Sequence, residues 1–205
     1  ILLFDGTTTS GWRRNYQPSF PDKGWAVENG SLVVLGEQGG DIITIAEFSS
    51  FDLKFEFKLT EAANSGVKYF VVEQYDGLSI GLEYQILDDE RHPDAKQGVG
   101  GNRQCAALYD LLPATGKVMR PIGEWNQGRI VVVGNHAEHW LNGKKVLEYE
   151  RCSPAFQTVV QKSKFIGVKD FGCWPRGHIL LQDHGDKVYY RNLKIRTLSE
   201  PASVK

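Results

Sequence analysis

Residues 51 to 59 read FDLKFEFKL, and this stretch constrains the fold more than any other part of the chain. Phe51, Leu53, Phe55, Phe57 and Leu59 alternate with Asp52, Lys54, Glu56 and Lys58. Successive side chains of an extended chain point to opposite faces, so a period of two makes a strand with one apolar and one wet face. Such a sheet must cover its apolar face with a second layer. Similar strand-like runs recur: SLVVLG, DIITIAEF, SGVKYFVVEQY, IGLEYQILDD, GRIVVVGN, AEHWLNGKKVLEYE, KFIGVKDF, HILLQDHG and KVYYRNLKIRTL. Helical periodicity is hard to find anywhere. About ten short strands with turn signals between them predict an all-β fold, a two-sheet antiparallel sandwich or jelly roll. With 205 residues, 41% of them hydrophobic, the chain is long enough for one such domain over residues 1–205 with a substantial core.

Asn142-Gly143 in LNGKK sits between two strand-like runs, and both residues tolerate the positive φ of a tight type I′ turn, which predicts a hairpin. From Arg91 to Gly123 the chain is rich in Gly, Pro and polar residues and has no period. A loop of that length reads as a binding or lid segment. Lys+Arg 24 against Asp+Glu 25 gives a net charge of -1, which lacks the basic field that nucleic acid or an anionic membrane requires. The three cysteines, Cys105, Cys152 and Cys173, form no CxxC pair and allow at most one disulfide. ILLF is too short to span a bilayer, and Ile1 in place of Met raises the expectation of a removed leader.

In GLEYQILDDE, strand parity puts Tyr84 and Ile86 on the core side and Glu83 and Gln85 on the other. In HILLQDH the same argument sends Ile179 and Leu181 inward and His178, Gln182 and His184 outward. Gln85, Gln182 and His184 are not the Lys, Thr and Glu that usually solvate a sheet, so together with Glu83 they read as groove residues. Trp125, Trp140, Tyr109 and Trp174 are candidates to stack on a sugar, or else to fill the core. The run Asp88, Asp89, Glu90 lacks cation-loop spacing and reads as a solvated strand end. His136 and His139 fall on opposite faces of a strand, which argues against a shared metal ion and leaves His139 for substrate hydrogen bonding. Arg191 shares parity with Leu193 and Ile195 and is expected to point inward to a buried carboxylate. No GxSxG or Walker sequence is present, which removes several enzyme classes.

LFDGTTTSGW, WAVENGSLVV, NSGVKYF, EYQILDD, HWLNG and LQDHG followed by RN together resemble the domain of unknown function 1080, the 3-keto-disaccharide hydrolase domain, over nearly the whole chain. The resemblance implies a concanavalin-like jelly roll, an extracytoplasmic setting and action on glycosides oxidised at C3. The matching positions are Glu83, Gln85 and Asp88, then Glu124 and Asn126, then His139 and Asn142, and last Gln182, Asp183, His184, Arg191 and Asn192. VVEQYDGLSIG, between two of these motifs, is longer than the usual form.

A retaining glycosidase needs two carboxylates roughly 5 Å apart, yet the same-face neighbour of Glu83 is the amide Gln85. A 3-keto sugar permits another route, because the ketone acidifies the C2 proton and lets the aglycone leave C1 before water adds. Glu83, His184 and His139 are the candidate catalytic residues. Gln85, Gln182, Tyr109, Trp125, Trp140 and Glu124 are candidates for substrate binding, and Asp183, Arg191 and Asn142 for structural or orienting roles. No residue is assigned to a metal, although a divalent cation would suit an enolate. The other reading from these residues is a carbohydrate-binding module on the same sandwich.

Overall fold

The computed structural model describes residues 1–75 and 77–199. Among these, two antiparallel sheets lie face to face. One has five strands in the order β1 (Trp12–Arg14), β4 (Ile42–Phe48), β11 (Gly177–Leu181), β6 (Asn64–Val72) and β7 (Ile80–Leu87). The other has seven: β10 (Lys144–Glu150), β9 (His136–Leu141), β8 (Asn126–Val133), β5 (Phe51–Leu59), β12 (Val188–Thr197), β3 (Ser31–Val34) and β2 (Trp25–Glu28). The apolar side of β5 faces the five-stranded sheet, where Phe55 meets Tyr84 of β7 edge to face, ring centroids 5.3 Å apart. Asn142 and Gly143 have φ of 49° and 82° and close the β9–β10 hairpin as the turn chemistry requires.

KFIGVKDF forms turns rather than a strand. Its Phe165 and Phe171 stack on each other at 4.1 Å, and Ile166 is 59% exposed, so no alternating face exists to pair. Helix α1 (Pro154–Val160) precedes it. Ser153 Oγ caps the helix by accepting the Phe156 N–H at 3.1 Å, with Pro154 in the first turn. That Ser-Pro start was the available signal, in a segment too short for a helical period. The disulfide Cys152–Cys173 ties this segment at its two ends. Cys105 is a free, buried thiol, pushed up to about 12 by burial.

The segment from Arg91 to Gly123 is no loose lid. Ala106 N–H donates to Gln85 O at 2.8 Å, Gln85 N–H to Ala107 O at 3.2 Å and Tyr109 N–H to Glu83 O at 3.0 Å. The loop thus covers the free edge of β7. Asp76, inside VVEQYDGLSIG, lies outside the described residues. No helix among the described residues is long and apolar enough to cross a membrane.

Candidate active site

The outer face of the five-stranded sheet gathers the polar residues of β6, β7 and the end of β11. Lys68 of β6 is the cross-strand partner of Glu83 on β7, and Gly66 that of Gln85. Gln182, just past β11, donates its N–H to Gly66 O at 3.0 Å. Gly66 supplies no side chain between these neighbours, and the Glu83 carboxylate fills the space: a Cβ on Gly66 would lie 2.6 Å from Glu83 Oε1. Lys68 Nζ stands 3.7 Å from Glu83 Oε2 and also donates to Ser79 O at 3.1 Å. Gln85 Oε1 accepts the Ile86 N–H at 3.0 Å, which leaves its amide NH₂ to donate.

Glu83 is only 6% exposed. Burial pushes its carboxyl above the ordinary range and Asp41 adds to this, while Lys68, Lys164 and His184 pull it back. Tyr109 sits beside it through the Tyr109–Glu83 backbone bond, and Lys164 Nζ lies 4.2 Å from the Tyr109 ring centroid. Burial pulls the Lys164 ammonium below its usual range, against the attraction of Glu83. Loops therefore bring Asp41, Tyr109, Lys164 and His184 to one buried carboxylate on a rigid strand.

The chain matches the sequence profile of the 3-keto-alpha-glucoside-1,2-lyase-like domain over residues 1–196. This chain belongs to that family. A curated relative from Bacteroides thetaiotaomicron, a 3-keto-disaccharide hydrolase, is 35% identical over 97% of this chain and 78% of its own length. A crystal structure from Parabacteroides distasonis, assigned provisionally to the glycosyl hydrolases, superposes with a TM-score of 0.88 at 32% identity. It covers 97% of this chain and 94% of that one. The carbohydrate-binding module CBM66 of Bacillus subtilis, at 11% identity and a TM-score of 0.58, covers 91% of this chain and 96% of its own and shares the fold alone.

In this lyase-like domain His139 is not at the candidate site. It is buried between the sheets, where Nδ1 lies 2.9 Å from Ala106 O and Nε2 2.8 Å from the Tyr69 hydroxyl. A carbonyl only accepts, so Nδ1 carries the proton, Nε2 accepts from Tyr69, and Tyr149 donates to Tyr69 at 2.5 Å. Parity was right that His136 and His139 face opposite ways, but the face of His139 is the core.

Trp125, Trp140, Glu124, Asn142 and Arg191 belong to the other sheet and its loops. Trp125 lies under Lys58 and Arg191, at 5.1 and 4.0 Å, and Trp140 under Arg129 at 5.2 Å. Glu124 is exposed in a turn. Asn142 ties a loop by donating to Val118 O and Asn126 Oδ1, each at 2.9 Å. Arg191 points outward to Glu56 at 2.7 Å, because a bulge at Asn192, φ 53°, breaks the parity shared with Leu193 and Ile195. Trp174 packs in the core. Asp183 orients no histidine; its carboxylate accepts the Gly40 and Gly185 N–H groups at 3.0 and 3.1 Å. Asp88 is buried rather than solvated, holding the N–H groups of Ala62, Glu90 and Arg91 at 2.9, 3.2 and 3.3 Å.

His92, His184 and Asp186 place one ligand atom each within 4.8 Å of one another. Asp186 Oδ2 accepts the Asn64 N–H at 3.0 Å, so Oδ1 is left for a ligand. The Oδ1 of Asn64 is buried with no hydrogen-bond partner among the described residues. Two imidazoles and a carboxylate form a donor set that suits a divalent cation. In the second cluster, His136, Glu138 and Glu148, Lys145 already bridges the two carboxylates at 3.2 and 2.5 Å. Sequence reasoning passed over Lys68, Lys164, Asp41 and Gly66. Lys68 shares the parity of Gly66 and was legible as an outward residue, but its pairing with Glu83 needed the strand register, and Lys164 lay in the run misread as a strand.

Proposed function

We propose that this domain is a carbohydrate-active enzyme that cleaves 3-keto-glycosides or 3-keto-disaccharides by elimination across C2 and C1, followed by addition of water. The observation that carries this reading is a buried carboxylate, Glu83, whose pKa is raised and which has cationic and amide partners on its own sheet face. The family membership supplies the substrate class.

Glu83 takes the C2 proton of the bound sugar. The electron pair moves through C2 to the C3 carbonyl oxygen, giving an enolate, and then forms the C1–C2 double bond as the C1–O bond to the aglycone breaks. A raised pKa suits this task, since a base is most effective when its conjugate acid is near the working pH. Lys68 and Lys164 bring positive charge to the developing enolate, and Gln85 and Gln182 donate hydrogen bonds to it or to sugar hydroxyls. His184, exposed in the loop after β11, protonates the leaving oxygen. Water then adds at C1 and the proton held by Glu83 returns to C2, so the net change is hydrolysis. Direct displacement is disfavoured because the same-face neighbour of Glu83 on β7 is an amide and its cross-strand partner a lysine.

A divalent cation held by His92, His184 and Asp186 would supply Lewis-acid stabilisation of the enolate oxygen. His184 would then be a ligand, and Lys164 the remaining acid. The disulfide Cys152–Cys173 favours an oxidising, extracytoplasmic compartment.

Product release from a 3-keto-glucoside and from its unoxidised parent, with and without chelator, tests the proposal. Cleavage of the keto form alone, abolished in Glu83→Gln with binding retained, is the expected result. Loss of activity with chelator adds the cation. Binding of either sugar without turnover would replace the enzyme reading with a carbohydrate-binding module.

A further inference from the structure

We infer that the outer face of the seven-stranded sheet carries a second saccharide site, for an oligosaccharide of uronic acids. A cavity of about 310 Å³ opens there, on the sheet opposite to Glu83, and its lining includes Lys54, Arg129, Trp140, Asn192 and Lys194. That volume falls within the range of small-molecule sites, roughly 300–1,000 Å³.

The strand register builds an unusual row across the cavity. Trp140 of β9 pairs with Arg129 of β8, Arg129 with Lys54 of β5, and Lys54 with Lys194 of β12. Three cations thus stand side by side on adjacent strands, an arrangement that destabilises a sheet unless something offsets it. Arg129 is neutralised by Asp52, at 2.7 and 3.1 Å, but the same carboxylate also serves Arg196 at 3.3 Å. Lys54 and Lys194 have no ion pair among the described residues. The same lining holds Glu56, which is paired with Arg191 at 2.7 Å, so the unpaired charge in the cavity is positive although the chain as a whole has a net charge of -1.

Trp140 makes the row more than a charged patch. Its indole N–H donates to Glu138 at 2.7 Å and its ring lies against the Arg129 guanidinium, so the ring is fixed at the cavity wall. A fixed aromatic face suits the C–H surface of a pyranose, and carboxylates spaced along a sugar chain match lysines spaced across strands. The β12 bulge at Asn192 shapes the cavity's other side, where Asn192 offers an amide to hydroxyls.

Isothermal titration of the intact protein with trigalacturonate, and with a neutral xylotriose control, tests the site. Trigalacturonate alone should bind, more weakly as salt rises. The Lys54→Glu/Lys194→Glu double variant and Trp140→Ala should each weaken binding at least tenfold. Turnover of a 3-keto-glucoside should be unchanged in all of them, since none of these residues is on the Glu83 face. Equal binding of xylotriose, binding unaffected by the variants, or no binding of trigalacturonate would each overturn the inference.

Discussion

Acidification should destabilise this protein through one core histidine in addition to its hydrogen-bonded carboxylates. His139 is fully buried with its Nδ1–H on Ala106 O and its Nε2 accepting from Tyr69, and burial pulls its pKa from 6.5 to about 4. The unfolded chain binds a proton on this residue below pH 6.5, whereas the folded chain does so only below about pH 4. Its contribution to stability is therefore complete above pH 6.5 and is lost as the pH falls from there to about 4. Linkage over that interval gives a loss on the order of 2 kcal/mol at pH 4.5 relative to pH 7.5. Urea unfolding at a series of pH values, for the wild type and for His139→Gln, measures it. Glutamine keeps a donor and an acceptor but does not titrate, so subtracting the two pH profiles isolates His139 from the carboxylates. Superimposable pH slopes for the two proteins between pH 6.5 and 4 would refute the buried neutral histidine. Turnover per folded molecule at pH 7.5 should change little in the variant, because His139 lies between the sheets and not at Glu83.

Gly66→Ala should place a methyl group 2.6 Å from Glu83 Oε1 and displace the carboxylate, lowering kcat on a 3-keto-glucoside by at least tenfold with little change in melting temperature. An unchanged kcat would mean that the position of Glu83 over Gly66 does not matter. Lys164→Met removes one cation beside Glu83, so the pKa seen on the acidic limb of kcat/KM should rise; a fall would contradict the proposed pairing. The Cys152→Ser/Cys173→Ser variant opens a link between residues 21 apart and should cost about 3 kcal/mol in urea unfolding. It should also raise KM, because the linked segment carries Lys164, and a purely stability-related change would detach that loop from the site.

The all-β sandwich was legible because alternation is local: each of Phe51 to Leu59 declares its face without knowing its neighbours. The Asn142-Gly143 turn was legible for the same reason, since positive φ is a property of those two residues. Parity also placed Glu83, Gln85 and Gln182 on one face, and the motifs that carry the family resemblance lie within single strands and turns. Parity reports which side of a strand a residue takes, but not which sheet the strand joins, so Trp125 and Trp140 were grouped with Glu83 although a core separates them. It also cannot tell core from solvent for a polar residue, which is why His139 was read as reaching a ligand.

Arg191 was misdirected by a single inserted residue, as a bulge reverses every later side chain. The pairing of Lys68 with Glu83, the gap at Gly66 and the approach of Lys164 depend on register and on contacts between segments far apart in the chain. The sequence by itself determined the period of each strand, the turns and the chemical types available, because these follow from neighbouring residues. Only the tertiary structure decided which carboxylate is buried, which cations face it and which aromatics do not, because burial and charge proximity are set by the packing of distant segments.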